Sequence, residues 1–204
     1  MEPQVWYASY GSNMSRSRFL HYLQGGRPDG STRDYSGSRN RTGPLEVEPV
    51  ELKGSLCFAW ESPTWGGGVA FYEPDAPGVT LGRAYLLTAG QLADVAAQEM
   101  HRRPDVDLDL APLWSDRQFV LGPGRYERLL VVGEIRGVRV VTFTSSWSRD
   151  EVQLNAPAAA YLRTMAIGLR EAHELTVDAI IDYLLACRGT GPGWTRSTLA
   201  AALS

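Results

Sequence analysis

Val5-Trp6-Tyr7-Ala8-Ser9-Tyr10-Gly11-Ser12-Asn13-Met14 is the stretch from which the fold is read. Its first part is rich in aromatic and β-branched residues, which suit a pleated strand. The strand stops at Gly11, and the residues from Ser15 to Gln24 follow as a short helix. Phe19, Leu20 and Leu23 lie on one side of it, and Gly25-Gly26 end it. The opening is therefore strand, tight loop, helix. Such a loop exposes backbone N–H groups at the positive end of a helix, a place for a carboxylate, a phosphate or a developing oxyanion. Glycine lets a ligand come close to that backbone. The same residues also suit a plain turn in which Asn13 or Ser15 caps the helix. Neither G-x-G-x-x-G nor G-x-x-x-x-G-K-[ST] is present, so this is not a nucleotide loop.

Beyond the helix, Arg27 to about Pro49 is loaded with Gly, Ser, Pro, Asp and Arg and shows no period, which predicts an extended loop or mobile flap whose arginines face water or a ligand. From Val50 to Leu87, short apolar runs alternate with turn residues, the pattern of antiparallel strands. The stretch from Ala89 to Arg103 reads as a helix, and a second polar loop covers residues 103–118. Tyr126–Ile135 and Arg136–Ser146 read as a hairpin turning at Arg136-Gly137. Two helices close the chain, one with Pro157 in its first turn and one capped by Thr176. Strands in the middle, with helices before, within and after them, predict one α+β domain over residues 1–204. It is built on a small, mixed, mostly antiparallel sheet or barrel, with flanking helices and polar loop insertions near 27–49 and 103–124.

The chain has 204 residues, 44% hydrophobic and 21% charged, the mix of a globular domain with one sizeable core. A net charge of -3 gives no general reason to expect nucleic acid or an anionic membrane as partner. The two cysteines, Cys57 and Cys187, are too few for a disulfide framework and are expected as buried thiols in a reducing cytoplasm. No apolar run approaches the roughly 20 residues needed to span a bilayer, and the N-terminus lacks the regions of a signal peptide.

Two further features carry chemistry. Leu92, Val95 and Ala96 fall at helical spacing, and Glu99 lies seven residues after Leu92, on the same face. A carboxylate there is unusual, and burial would favour its protonated form, the condition for general acid–base work near neutral pH. A boundary position paired with Arg102, Arg103 or another cation fits the spacing equally well. Trp65-Gly66-Gly67-Gly68 opens a strand, where three glycines suit a close approach by another backbone or by a ligand, with the indole as a wall; a bulge or a flexible hairpin mouth is the more ordinary reading of the same glycines. His21, His101 and His173 show no metal-ligand spacing, so no metal site is expected.

Taken in order, Tyr10-Gly11-Ser12-Asn13, the W-x-G-G-x-A block from Trp65 to Ala70, Gly82-Arg83-Ala84-Tyr85, the acid at Glu99, Tyr126 and the closing P-x-x-x-Y-L-x-x-M-x-x-G-L-R-E from Pro157 to Glu171 resemble the γ-glutamylcyclotransferase-like superfamily. The resemblance covers most of the chain. It implies five or six strands with flanking helices and a pocket where the Tyr10–Asn13 loop meets the Glu. It also implies cleavage of a γ-glutamyl amide, in which the substrate's α-amine attacks the γ-carbonyl to give 5-oxoproline and a free amine or amino acid. Glu99 would then move the proton and the Gly11–Ser12 backbone would hold the oxyanion or carboxylate. Tyr10, Asn13, Trp65, Gly66 and Gly67 would line the pocket, and Tyr126 would add a phenolic hydrogen bond. No cofactor is implied, and the partner is a small γ-glutamyl compound. The two polar loops look longer than compact members need, and Phe143 stands where related chains often carry a tyrosine, so the choice of amine does not transfer. A non-catalytic binding module of the same fold and a hydrolase in which Glu99 activates water are the alternatives.

Overall fold

The computed structural model describes residues 2–28, 34–105, 107–147, 151–191 and 193–204. The predicted loop segment 29–33 and Val106 lie outside the described residues. From the N-terminus the elements are β1 (Gln4–Ser9), a single 3-10 turn (Ser12–Met14), α1 (Arg16–Gln24), β2 (Glu46–Lys53), β3 (Ser55–Ser62), β4 (Gly67–Glu73) and β5 (Val79–Thr88). There follow α2 (Ala89–Glu99), α3 (Ala111–Asp116), β6 (Gln118–Val120), β7 (Arg128–Ile135), β8 (Val138–Thr144), α4 (Ala159–His173), α5 (Val177–Ala186) and α6 (Arg196–Leu203). The architecture is α+β with an antiparallel-dominated mixed sheet. Its contacts cluster into two compact units, one of residues 1–9, 17–50 and 83–146, the other of residues 10–16, 51–82 and 147–204.

The first unit is built on a six-stranded sheet in the order β2-β5-β1-β8-β7-β6. β1 lies inside it, antiparallel to β5 and parallel to β8, and five of its six residues are buried. An interior strand covered on both faces is apolar without alternation, which is why Val5 to Ala8 read as an unbroken run. β7 and β8 form the predicted hairpin: Arg136 (φ 51°) and Gly137 (φ 78°) both take the left-handed conformation that a two-residue hairpin turn of matching twist requires. The core of this unit is strongly aromatic. Phe19 stacks on Tyr85 with ring centroids 4.0 Å apart, and Tyr7 packs against Phe19 and Phe143.

Helix α2 is buried on two sides. Leu92, Val95 and Ala96 face the aromatic core, while Gln91, Asp94 and Gln98, at spacings of three and four, are buried as well. Gln91 and Asp94 are matched to the long loop before β2, and Gln98 to helix α1. The Gln91 amide reaches the carbonyls of Asn40 and Thr42, Gln98 reaches that of Tyr22, and Asp94 accepts the backbone N–H (2.8 Å) and the Nε (2.9 Å) of Arg39. Gln91 also closes a reciprocal capping box with Thr88 at the helix start. The described part of the predicted flap is thus strapped to α2, and Arg39 is held by a carboxylate rather than offered to a ligand. Its polar composition serves the buried polar face of α2, a pairing that no local pattern reveals.

The second unit holds the two-stranded β3–β4 ladder and the three C-terminal helices. In α4 the buried residues Tyr161, Leu162, Met165, Gly168 and Leu169 trace one helical face. Three sequence expectations are corrected. The second polar loop contains a short helix, α3, and an edge strand, β6. Pro157 precedes α4, whose cap is Ala158. A third closing helix, α6, starts where the Thr195 side chain accepts the Thr198 N–H. The Thr176 cap of α5 is as expected. Both cysteines are free and buried. Among the described residues no helix is long and apolar enough to cross a membrane.

Two predictions follow from these contacts. Arg39 pairs with a buried carboxylate, Asp94, and with an exposed one, Asp107. Asp94→Asn should lower stability by about 2 kcal/mol, because it weakens charge-assisted bonds to a buried acceptor, whereas Asp107→Asn should shift it by less than about 0.5 kcal/mol; urea unfolding of the two variants measures the contrast. Burial, followed by the nearby Cys57, pushes the Cys187 thiol up to about 12. A thiol that is neutral at pH 8 is a poor nucleophile, so iodoacetamide should leave Cys187 of the native protein unlabelled at that pH and label it after unfolding, as peptide mass mapping would show.

Candidate active site

In the second unit the residues after β1 fold into the 3-10 turn, in which the Met14 N–H donates to the Gly11 carbonyl (3.0 Å) and the Ser15 N–H to that of Ser12 (3.2 Å). The first N–H of α1, from Arg16, is taken by the Glu171 carboxylate at 3.2 Å. Donors that the sequence suggested for a ligand at the helix start are therefore engaged within the protein from Met14 to Arg16. Gly11 has a negative φ (φ -112°, ψ -144°), so its glycine is not demanded by a left-handed backbone. It is demanded by space: a Cβ at this position would lie 2.8 Å from the Tyr161 hydroxyl.

Tyr161 is the residue that the sequence reading passed over as a site group. Its hydroxyl accepts the buried N–H of Ala70 at 3.1 Å, and its ring meets Phe58 and, at 5.2 Å between centroids, Trp65. The Tyr10–Asn13 turn and the Trp65–Ala70 block, 55 residues apart, are thereby joined through one phenol on α4. Tyr10 is buried and packs on Tyr72. Asn13 is buried, Trp65 is half-buried, and Gly66 is exposed with φ +71°. Gly67 and Gly68 have a clear physical cause. A Cβ on Gly67 would fall 2.8 Å from the Ala156 carbonyl oxygen, and Gly68 has no room beside Asn155, because residues 155–158 run against β4 with the Gly68 N–H donating to Ala156. The close approach at these two glycines is made by another stretch of backbone. The only sign of Tyr161 in the sequence is a tyrosine four residues after Pro157, and nothing local says what its hydroxyl meets.

Glu99 and Tyr126 belong to the first unit. Glu99 is the last residue of α2 and half-buried, at the boundary rather than deep on the core face marked by Leu92, Val95 and Ala96. The helix ends with His101 in the left-handed conformation (φ 57°), its N–H on the Gln98 carbonyl, and the Arg102 N–H on that of Ala97 at 2.7 Å. This is the two-bond closure that usually takes glycine at its left-handed residue. Arg102, considered as a partner for Glu99, pairs with Glu127. Tyr126 is half-buried and packs on the aromatic core, as does Met100. Phe143 is buried against Tyr7. Among the described residues no group of three or more His, Cys, Asp or Glu side chains is arranged to hold a metal ion.

The contact at Gly11 is directly testable. Gly11→Ala should destabilise the protein by about 1–3 kcal/mol through overpacking, and Tyr161→Phe by about 1 kcal/mol through the lost Ala70 bond. Since removal of the hydroxyl also makes room for the methyl, the double variant should be more stable than the sum of the two changes allows. Additive effects in chemical denaturation would show that the two positions are not in contact.

No known protein-family profile matches the chain. Histone deacetylase 5 of Arabidopsis thaliana is 34% identical over 202 residues, covering 88% of this chain and 30% of that protein, so the chain spans about three-tenths of its relative's length. The crystal structure of an uncharacterized human protein superposes with a TM-score of 0.56 at 17% identity, covering 98% of this chain and 99% of the other. A γ-glutamyl cyclotransferase superposes with a TM-score of 0.53 at 14% identity, covering 97% and 98%. Near-complete coverage on both sides makes the likeness one of the whole fold, and together with the mixed sheet and its flanking helices it shows that the chain has the γ-glutamyl cyclotransferase-like fold.

Proposed function

We propose that the chain is an enzyme that cleaves a γ-glutamyl amide by intramolecular cyclisation, releasing 5-oxoproline and a free amine or amino acid. What supports this reading is the joining of the Tyr10–Asn13 turn to the Trp65–Ala70 block at Tyr161, within a fold shared with a γ-glutamyl cyclotransferase. In the proposed reaction the Glu99 carboxylate takes a proton from the substrate's α-ammonium. The freed amine attacks the carbonyl carbon of the γ-amide and forms the ring bond. The bond from that carbon to the leaving nitrogen then breaks as Glu99 returns the proton to that nitrogen, and the second proton lost by the attacking nitrogen passes to the released amine, which departs as an ammonium. Atoms and charge balance without a protein nucleophile or a cofactor.

The backbone at Gly11 and Ser12 is assigned to the oxyanion, where one fixed donor is worth on the order of 3 kcal/mol of barrier. Tyr10, Asn13, Trp65, Gly66 and Gly67 are assigned to shaping and holding the substrate, and Tyr126 to a phenolic hydrogen bond. Because both reacting groups belong to one molecule, folding it into an attack-ready shape supplies much of the acceleration, on the order of 7–11 kcal/mol in favourable cases. The name of the plant relative is not carried over, since the match spans only three-tenths of that protein. A γ-glutamyl small molecule is the proposed partner. A reducing cytoplasm, which suits two free thiols, is the proposed setting, with no role for nucleic acid or membrane.

Purified protein incubated with a panel of γ-glutamyl dipeptides and amines should release 5-oxoproline, detected by mass spectrometry. Glu99→Gln should lower kcat by about 10²–10⁴-fold, the usual contribution of a positioned acid or base. Release of glutamate in place of 5-oxoproline would make the protein a hydrolase, and no turnover of any member with retained binding would make it a binding module. Equal release by wild type and variant would remove Glu99 as the base.

A further inference from the structure

We propose that Glu127 is a positioning residue for this reaction, locking the loop that carries Tyr126 onto the turn that ends the Glu99 helix; the inference rests on the cyclotransferase reading. The side chain of Glu127 is only 12% exposed, although it stands in a short connection between two strands at the sheet margin. Its two carboxylate oxygens have different partners. Oε1 receives Arg102 Nη2 at 3.3 Å, and Oε2 receives the Gly124 N–H at 3.0 Å. The backbone closes around this carboxylate, with the Leu121 N–H on the Glu127 carbonyl at 2.7 Å. A Cβ at Gly122 or Gly124 would meet the Glu127 side chain as it stands; at Gly124 it would lie 2.7 Å from the carboxyl carbon. The run Gly122-Pro123-Gly124 is thus shaped to wrap one acid.

Arg102 completes the connection. Its backbone N–H closes the end of α2 on Ala97, three residues beyond Glu99, while its guanidinium holds Glu127, the neighbour of Tyr126. Two groups assigned to the reaction therefore sit at opposite ends of one continuous link: Glu99, the helix closure, Arg102, Glu127 and Tyr126. A loop with so little regular structure must be ordered against its own conformational entropy, and here an inward carboxylate with two donors does so. Loss of that carboxylate should leave the loop and the helix end free to drift, and a displacement of about 1 Å at a reacting group is enough to lower the rate by roughly 100-fold.

The test combines turnover with amide hydrogen exchange on the full chain, using Glu127→Ala, Glu127→Gln and Arg102→Ala. Glu127→Ala should lower kcat by roughly 10–100-fold with KM changed less. Glu127→Gln, which keeps the volume and one acceptor, should fall between it and the wild type. In exchange, Glu127→Ala and Arg102→Ala should both speed the amides of Gly124 and of His101 and Arg102. If the wild type forms 5-oxoproline and Glu127→Ala keeps kcat within twofold, the inference is overturned, whatever happens to the melting temperature. If faster exchange is confined to 121–127 and leaves the helix end unchanged, the link is overturned as well, even where no substrate has been found. Should Glu127→Ala fail to fold, Arg102→Ala, whose side chain is 56% exposed, gives the same readings. Absence of turnover by the wild type would count against the cyclotransferase reading, while the exchange result still decides the link.

Discussion

The Tyr161 hydroxyl fills the space that a side chain at position 11 would need and, at the same time, accepts the Ala70 N–H. Two steric and polar requirements thus meet at one oxygen. Glycine must stand at 11 for the phenol to fit, and the phenol in turn gives the Ala70 N–H an acceptor inside the protein, where a hydrogen bond of this kind is worth about 1 kcal/mol. Helix α4 carries Tyr161, and its Gly168 lies against Met14 with no room for a Cβ, so the turn is pinned at both ends by the same helical face. The turn is therefore held by a helix far along the chain as well as by its own hydrogen bonds.

The first unit solves a different problem. A helix buried on two sides needs an apolar face for the core and a polar face that is fully matched, since buried amides and carboxylates are tolerated only with partners. Gln91 and Asp94 are matched to the carbonyls and the arginine of an irregular segment, and Gln98 to a carbonyl of α1. The loop supplies irregular backbone, which has carbonyls to spare, and the helix supplies donors and a charge at regular spacing. Each makes the other's burial possible, and the end of α2, where Glu99 stands, inherits a fixed direction from that match.

How much of this was legible in the sequence depends on the reach of the interaction. The hairpin at Arg136-Gly137 was readable because two successive left-handed residues form a local requirement. β1 and α1 were readable from apolar pattern and the terminal glycines. Helices α3 and α6 escaped, being only 6 and 8 residues long and too short for a clear period. The glycines at 67 and 68 suited either a close approach or a bulge, and a glycine does not say which; here the backbone of residues 155–158 lies against them. The Tyr10–Asn13 turn was found and its partner Tyr161 was not, since a phenol's target is a property of tertiary structure. Glu127 was hidden for the same reason, its meaning lying in two glycines before it and an arginine 25 residues earlier.

The sheet ends in β2 on one side and β6 on the other. β2 reads Glu-Val-Glu-Pro-Val-Glu-Leu-Lys, with three acids, a lysine and a proline that donates no hydrogen bond, and β6 has only three residues. A strand of a second molecule that tried to extend the sheet would meet charged side chains and a missing donor along one margin and too few partners along the other. The chain thereby carries its own resistance to edge-to-edge aggregation, independent of whatever chemistry it performs.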